Sequence, residues 1–131
     1  MKPIKGALLT KQGERNKNSF KQYLFLLDGE YIYYYSTAYD KQPRGVLWLH
    51  GCKVADEPTN EKLKQLRCFS LRTRKGWNLV DRQLYVDRTY YFYTEEFSEM
   101  NEWMALCNKA SVGGYGRGPG HGIAHAHEIK R

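Results

Sequence analysis

The chain has 131 residues, of which 41% are apolar and 15% aromatic, and a formal net charge of +7. That length suits one domain, and the aromatic content supplies a core, which excludes wholesale disorder. The apolar runs are only a few residues long, so no membrane-spanning helix is expected.

The first ninety-five residues or so read as short strands separated by turns. Ala7–Lys11 forms the first strand. Residues 12–19 lack apolar side chains and hold Gly13 and two asparagines, so they form a loop. Phe20–Leu27 is the second strand, and Asp28-Gly29 marks a tight hairpin into a third, Tyr31–Tyr35. Asp40–Gly45 is a loop punctuated by Pro43 and Gly45. Val46–Leu49 is the fourth strand, and Cys52–Val54 a short fifth. Residues 55–66 are polar and read as a loop with room for one helical turn. Cys68–Thr73 alternates and forms the sixth strand; Thr89–Thr94 forms the seventh. Residues 74–88 fit two descriptions, an extension of both flanking strands or an ordered loop.

The period then changes. Phe97, Met100, Trp103, Met104, Cys107 and Ala110 recur at three- and four-residue spacing, the pattern of an amphipathic helix. Glu95, Glu96 and Glu99 at its start and Lys109 at its end suit the helix dipole. Thr94 or Ser98 is the expected N-cap. Trp103, on the apolar stripe, is expected in the core. Residues 113–131 hold six of the twelve glycines and few large apolar side chains. They are expected to form a disordered tail or linker, leaving residues 1–112 as the folded domain.

Charge is unevenly placed. Residues 1–27 carry +5, 28–66 carry −1, 67–88 carry +4, 89–112 carry −3 and 113–131 carry +2. A fold that gathers the basic blocks has one strongly positive end, suited to phosphates or an acidic leaflet. Cys52, Cys68 and Cys107 are too few and too scattered for a disulfide framework, which points to a reducing compartment. Met1-Lys2-Pro3-Ile4-Lys5 has no signal-peptide character, and no lipidation motif is visible. No nucleophile, P-loop or Cys/His constellation suggests an enzyme. His121, His125 and His127 have metal-ligand spacing, but their glycine-rich setting argues against a metal site. Gly113–Gly118 has a single arginine, too little for nucleic-acid binding.

The order of elements and the helix tryptophan resemble a pleckstrin homology (PH) domain across roughly residues 5–110. Leu9-Thr10-Lys11-Gln12-Gly13 looks like its first strand running into a ligand loop, and Phe20–Leu27 like its second strand. Ile32-Tyr33-Tyr34 and Pro43–Leu47 look like the third and fourth, Phe69–Thr73 and Tyr91–Thr94 like the last two, and Glu99–Met104 like the capping helix. The resemblance implies a mainly β fold: a bent seven-stranded antiparallel sandwich, or partly open barrel, capped by one C-terminal α-helix. It implies a phosphoinositide- or acidic-membrane-binding module, cytoplasmic and peripheral to the membrane, monomeric, with no cofactor.

The ligand loops hold Lys11, Arg15, Lys17, Lys21, Lys41, Arg44, Arg74 and Lys75. Phosphoinositide-binding members resemble a spacing rule that Lys11 and Lys21 satisfy, separated by nine residues. Tyr23 stands where a second basic residue is usual. The Tyr31–Leu49 segment, with Asp40-Lys41-Gln42-Pro43-Arg44-Gly45, is similar to cytohesin PH domains, which implies that Tyr33 and Arg44 contact phosphate. The candidate ligand-binding set is therefore Lys11, Arg15, Lys17, Lys21, Tyr33 and Arg44. Tyr23 favours the alternative of a protein–protein interaction module on the same fold.

Overall fold

In a computed structural model, which describes residues 3–59 and 61–115, the strands follow the apolar alternation. β1 (Lys5–Gln12) and β2 (Phe20–Asp28) pair antiparallel along their length, from Lys5 opposite Leu27 to Gln12 opposite Phe20. Leu9, Phe25 and Leu27 all occupy odd positions and all point into the core. Gly29 takes a left-handed φ of +60° in the two-residue turn to β3 (Tyr31–Tyr35), so Asp28 faces Tyr31 and Phe25 faces Tyr34. That register sends the even positions of β3, Ile32 and Tyr34, toward the core. β4 (Gly45–Trp48) pairs with β3, β5 (Lys53–Glu57) with β6 (Arg67–Thr73), and β6 with β9 (Arg88–Thr94).

The strand order among the described residues is β4-β3-β2-β1-β9-β6-β5, closed onto itself far enough to enclose one main core. Phe25, Phe69 and Phe92 meet at its centre, with ring centroids 5.1 Å (Phe25–Phe92) and 5.3 Å (Phe69–Phe92) apart. The bent seven-stranded architecture read from the sequence is the one observed.

α1 (Phe97–Ser111) covers the core with Met100, Trp103, Cys107 and Ala110. Trp103 is fully buried, and its indole N–H donates to Glu99 Oε1 at 3.0 Å. Lys5 Nζ lies 3.0 Å from the same carboxylate oxygen, tying β1 to the helix. Two helix details differ from expectation. The N-cap is Glu96, with extended backbone and no side-chain cap bond, in place of Thr94 or Ser98. Phe97 begins the stripe yet is 55% exposed, its ring 5.7 Å from the Arg67 guanidinium.

The polar stretch after Val54 does not become loop at once. Ala55, Asp56 and Glu57 continue β5 opposite Ser70, Phe69 and Cys68, and a short 3-10 turn spans Glu61–Leu63. β5 is an edge strand, where the backbone ladder and not side-chain burial holds the chain extended. Residues 74–88 form a separate ribbon, β7 (Gly76–Asn78) with β8 (Gln83–Tyr85). Tyr115 packs against the main core with Lys109 Nζ 4.7 Å above its ring, so ordered contacts continue just past residue 112. The histidine motif of the tail and Arg117 of its glycine–arginine stretch lie outside the described residues.

Candidate functional site

At the open end of the sheet, β1 and β2 diverge into the 13–19 loop. Gly13 N–H donates to Ser19 O at 2.7 Å, Ser19 N–H to Asn16 O at 3.0 Å, and Gln12 Nε2 to Lys17 O at 2.9 Å. This bracing opens a cleft of about 400 Å3 lined by Lys11, Gln12–Asn16, Ser19, Lys21, Tyr23, Tyr34 and Arg44. Four cations and one carboxylate, Glu14, therefore line it.

Lys11 and Lys21 face each other across β1 and β2, on the side of the sheet that carries Leu9 and Phe25. Lys11 is the last inward residue of β1 and is buried. Its ammonium sits 5.6 Å from the centre of the Tyr34 ring and 5.7 Å from that of Tyr90, so aromatic faces take the place of water. Glu14 Oε1 lies 3.5 Å from Lys11 Nζ and 2.9 Å from the Arg88 guanidinium. Burial pushes the Lys11 pKa below its ordinary value, and Glu14 only partly offsets this. A dehydrated ammonium at the floor of an open cleft is a place where a second anion gains strong electrostatic interaction.

Tyr34 forms one wall. Burial lifts its phenol to about 12, so it remains a neutral hydroxyl at physiological pH. The ring stacks on Phe25 at 5.4 Å and meets Tyr23 edge-on at 5.4 Å. Arg44 comes from the 36–44 loop; its backbone N–H donates to Tyr34 O at 2.7 Å, which fixes the loop end while the side chain stays exposed. Tyr23 lines the cleft at the usually basic position and brings a hydroxyl without a charge.

The structure brings together Lys11, Arg15, Lys21 and Arg44 of the expected set. Lys17 is exposed and lines a neighbouring depression with Glu57, Pro58 and Arg88. Tyr33 is a correction: it is fully buried on the opposite face of β3, with Tyr31 and Trp48. One residue along a strand reverses the face, so the cleft tyrosine is Tyr34. Counting back from the Asp28-Gly29 turn exposes this, because Phe25 is an inward position and Tyr34 is its partner. Arg74 and Lys75 also lie elsewhere, in a second cleft of about 460 Å3 with Gly51, Lys53, Arg72, Thr73 and Asp87.

A bent seven-stranded sheet closed by one C-terminal helix is the architecture of a PH-type β module. Residues 3–112 match the family model for the PH domain, and the chain belongs to that family. It is 27% identical over 110 residues to Rho GTPase-activating protein 25 of Homo sapiens, covering 84% of this chain and 16% of that protein. It is 28% identical over 112 residues to pleckstrin of Rattus norvegicus, covering 82% and 29%. The chain thus spans less than a third of either relative. Among solved structures, the C-terminal PH domain of pleckstrin in complex with D-myo-Ins(1,2,3,4,5)P5 superposes with a TM-score of 0.64 at 28% identity, covering 84% of this chain and 99% of that one.

Proposed function

We propose that the cleft binds the polyphosphorylated headgroup of a phosphoinositide and so holds its protein at the cytosolic face of an acidic membrane. The observation that carries this reading is the convergence of Lys11, Arg15, Lys21 and Arg44 on one cleft beside the Tyr23 and Tyr34 rings. Several cations at one point suit a small ring bearing several phosphates, since each charge-assisted hydrogen bond contributes about 1.5–3 kcal/mol. The solved pleckstrin complex with an inositol pentakisphosphate supports the same ligand class. In this reading Lys11 and Lys21 grip phosphate from the floor, Arg15 and Arg44 close from the two loops, and Tyr34 donates a hydrogen bond. Lys17 adds long-range attraction from outside the cleft. Residues 1–112 are the binding unit, acting as a monomer, and 113–131 a linker whose first residues pack on it.

Tyr23 supports a second reading, a protein-interaction module, because it removes a cation from the cleft. Sedimentation with vesicles carrying single phosphoinositides, against phosphatidylserine vesicles of equal charge at low and physiological salt, tests both. Headgroup preference that survives physiological salt supports the pocket. Binding that follows total charge alone and disappears with salt rejects it.

A further inference from the structure

We propose that the outer face of the β7–β8 ribbon is a second membrane-contact element, which seats Trp77 and Leu84 in the interfacial layer of an anionic bilayer. This rests on the membrane reading above and adds a contact that the headgroup cleft does not contain. The first observation is the distribution of apolar surface. Nine large apolar side chains are exposed among the described residues, and four of them, Trp77, Leu79, Leu84 and Val86, fall within ten residues of sequence. Trp77 and Leu84 are direct cross-strand partners, so they form one continuous patch.

The second observation is rigidity. The other face of the ribbon is anchored on β3 and β4: Asn78 Nδ2 donates to Tyr31 Oη at 2.8 Å, and the Tyr85 ring lies 5.4 Å from Trp48. The turn is held by Asn78 Oδ1, which accepts from Val80 N–H at 2.9 Å, and by Asp81, which accepts from Gln83 N–H at 3.0 Å and Tyr85 O–H at 2.6 Å. The apolar pair is therefore displayed outward on a fixed support.

The third observation selects the partner. Exposed Arg74, Lys75 and Arg82 belong to the same 74–88 segment as the patch, and Lys53 shares a cleft with Arg74 and Lys75. The neighbouring carboxylates are engaged, Asp87 by both Arg72 nitrogens at 3.0 Å and Asp81 within the turn. An exposed apolar pair on a cation-rich segment matches a surface that is anionic outside and apolar beneath, and tryptophan favours that boundary. A free inositol phosphate satisfies only the cations.

The test uses the full chain and phosphatidylcholine vesicles carrying phosphatidylserine and a phosphoinositide, with and without brominated acyl chains. Trp48 and Trp103 are buried, so the quenchable indole is Trp77. Quenching by brominated lipid, lost in Trp77→Phe while vesicle binding persists, is expected. The Trp77→Ser/Leu84→Ser pair is expected to bind vesicles roughly tenfold more weakly, with unchanged affinity for soluble inositol phosphate. Normal vesicle binding without quenching, and undiminished by the serine pair, overturns the inference and leaves the headgroup cleft standing. Soluble ligand binding without vesicle binding overturns both readings of a membrane partner. Self-association that the serine pair abolishes, without quenching, reassigns the patch to a second copy of the chain.

Discussion

The Tyr34 ring occupies the space that a Cβ atom on its β-sheet partner Gly45 would take, with ring atoms 2.5 Å from that position. The cleft wall therefore depends on a glycine that follows Arg44. Gly45→Val is expected to displace the ring, destabilise the fold by about 1–3 kcal/mol and weaken inositol phosphate binding more than Tyr34→Phe does. Thermal unfolding together with calorimetric titration separates the two effects.

Tyr23 occupies the position where the cleft lacks a cation. Tyr23→Arg should tighten inositol polyphosphate binding roughly tenfold or more, since it adds one charge-assisted contact. If affinity stays unchanged, the geometry at this position does not reach phosphate and the interaction-module reading gains.

Glu14 competes with an incoming anion for Lys11. Glu14→Gln should raise ligand affinity several-fold at low salt, with less effect at high salt. Lys11→Met should do the reverse: it removes a buried charge at little or no loss of stability, while ligand affinity falls about tenfold or more. A matched pair of melting curves and titrations checks both variants.

The fold and the cleft were legible in the sequence to different depths. Alternation, the Asp28-Gly29 turn and the helix stripe ending at Ala110 yield the strands and the terminal helix, because each strand buries one face, and the PH resemblance implies how they are arranged. Lys11 and Lys21 could be found through the nine-residue spacing that the PH resemblance implies, and Arg44 through the loop similar to cytohesin PH domains. Charge alone did not single them out, because solvated strand ends and loops also carry Lys and Arg. Tyr33 entered the expected set through the likeness to cytohesin PH domains, and Tyr31–Tyr35, nearly all tyrosine, offers no alternation that would correct it. The face is set by the turn and by the ribbon that covers Tyr31 and Tyr33. That ribbon was illegible for a related reason: Asn78, Asp81 and Tyr85 stabilise it through contacts specific to the tertiary structure. Residues 55–57 gave no strand signal because an edge strand needs no apolar side chains.

Burial also gives a pH dependence. The phenol of Tyr34 is raised from 10.0 to about 12, and burial raises those of Tyr33, Tyr85 and Tyr93 as well. A raised folded-state value means that the tyrosine contribution is intact below pH 10.0 and is lost as pH climbs toward 12 and beyond, because the unfolded chain ionises first. The thiols of Cys52, Cys68 and Cys107, raised by burial from 9.0, add a loss that begins at lower pH. Urea unfolding should show stability that begins to fall at about pH 8.5 to 9, where unfolded thiols ionise, and falls more steeply above about pH 10, where unfolded phenols follow. Tyr34→Phe should make the fall shallower.

The central claim is that Lys11, Lys21 and Arg44 act together on one phosphorylated ligand. Its most direct test is calorimetric titration of D-myo-Ins(1,2,3,4,5)P5 into the wild-type chain and into the Lys11→Ala/Lys21→Ala/Arg44→Ala variant, with melting curves for both. Saturable one-to-one binding by the wild type, weakened about a hundredfold or more in a variant that still unfolds cooperatively, is the predicted result. Equal affinity in the folded variant would place the ligand outside this cleft and contradict the account.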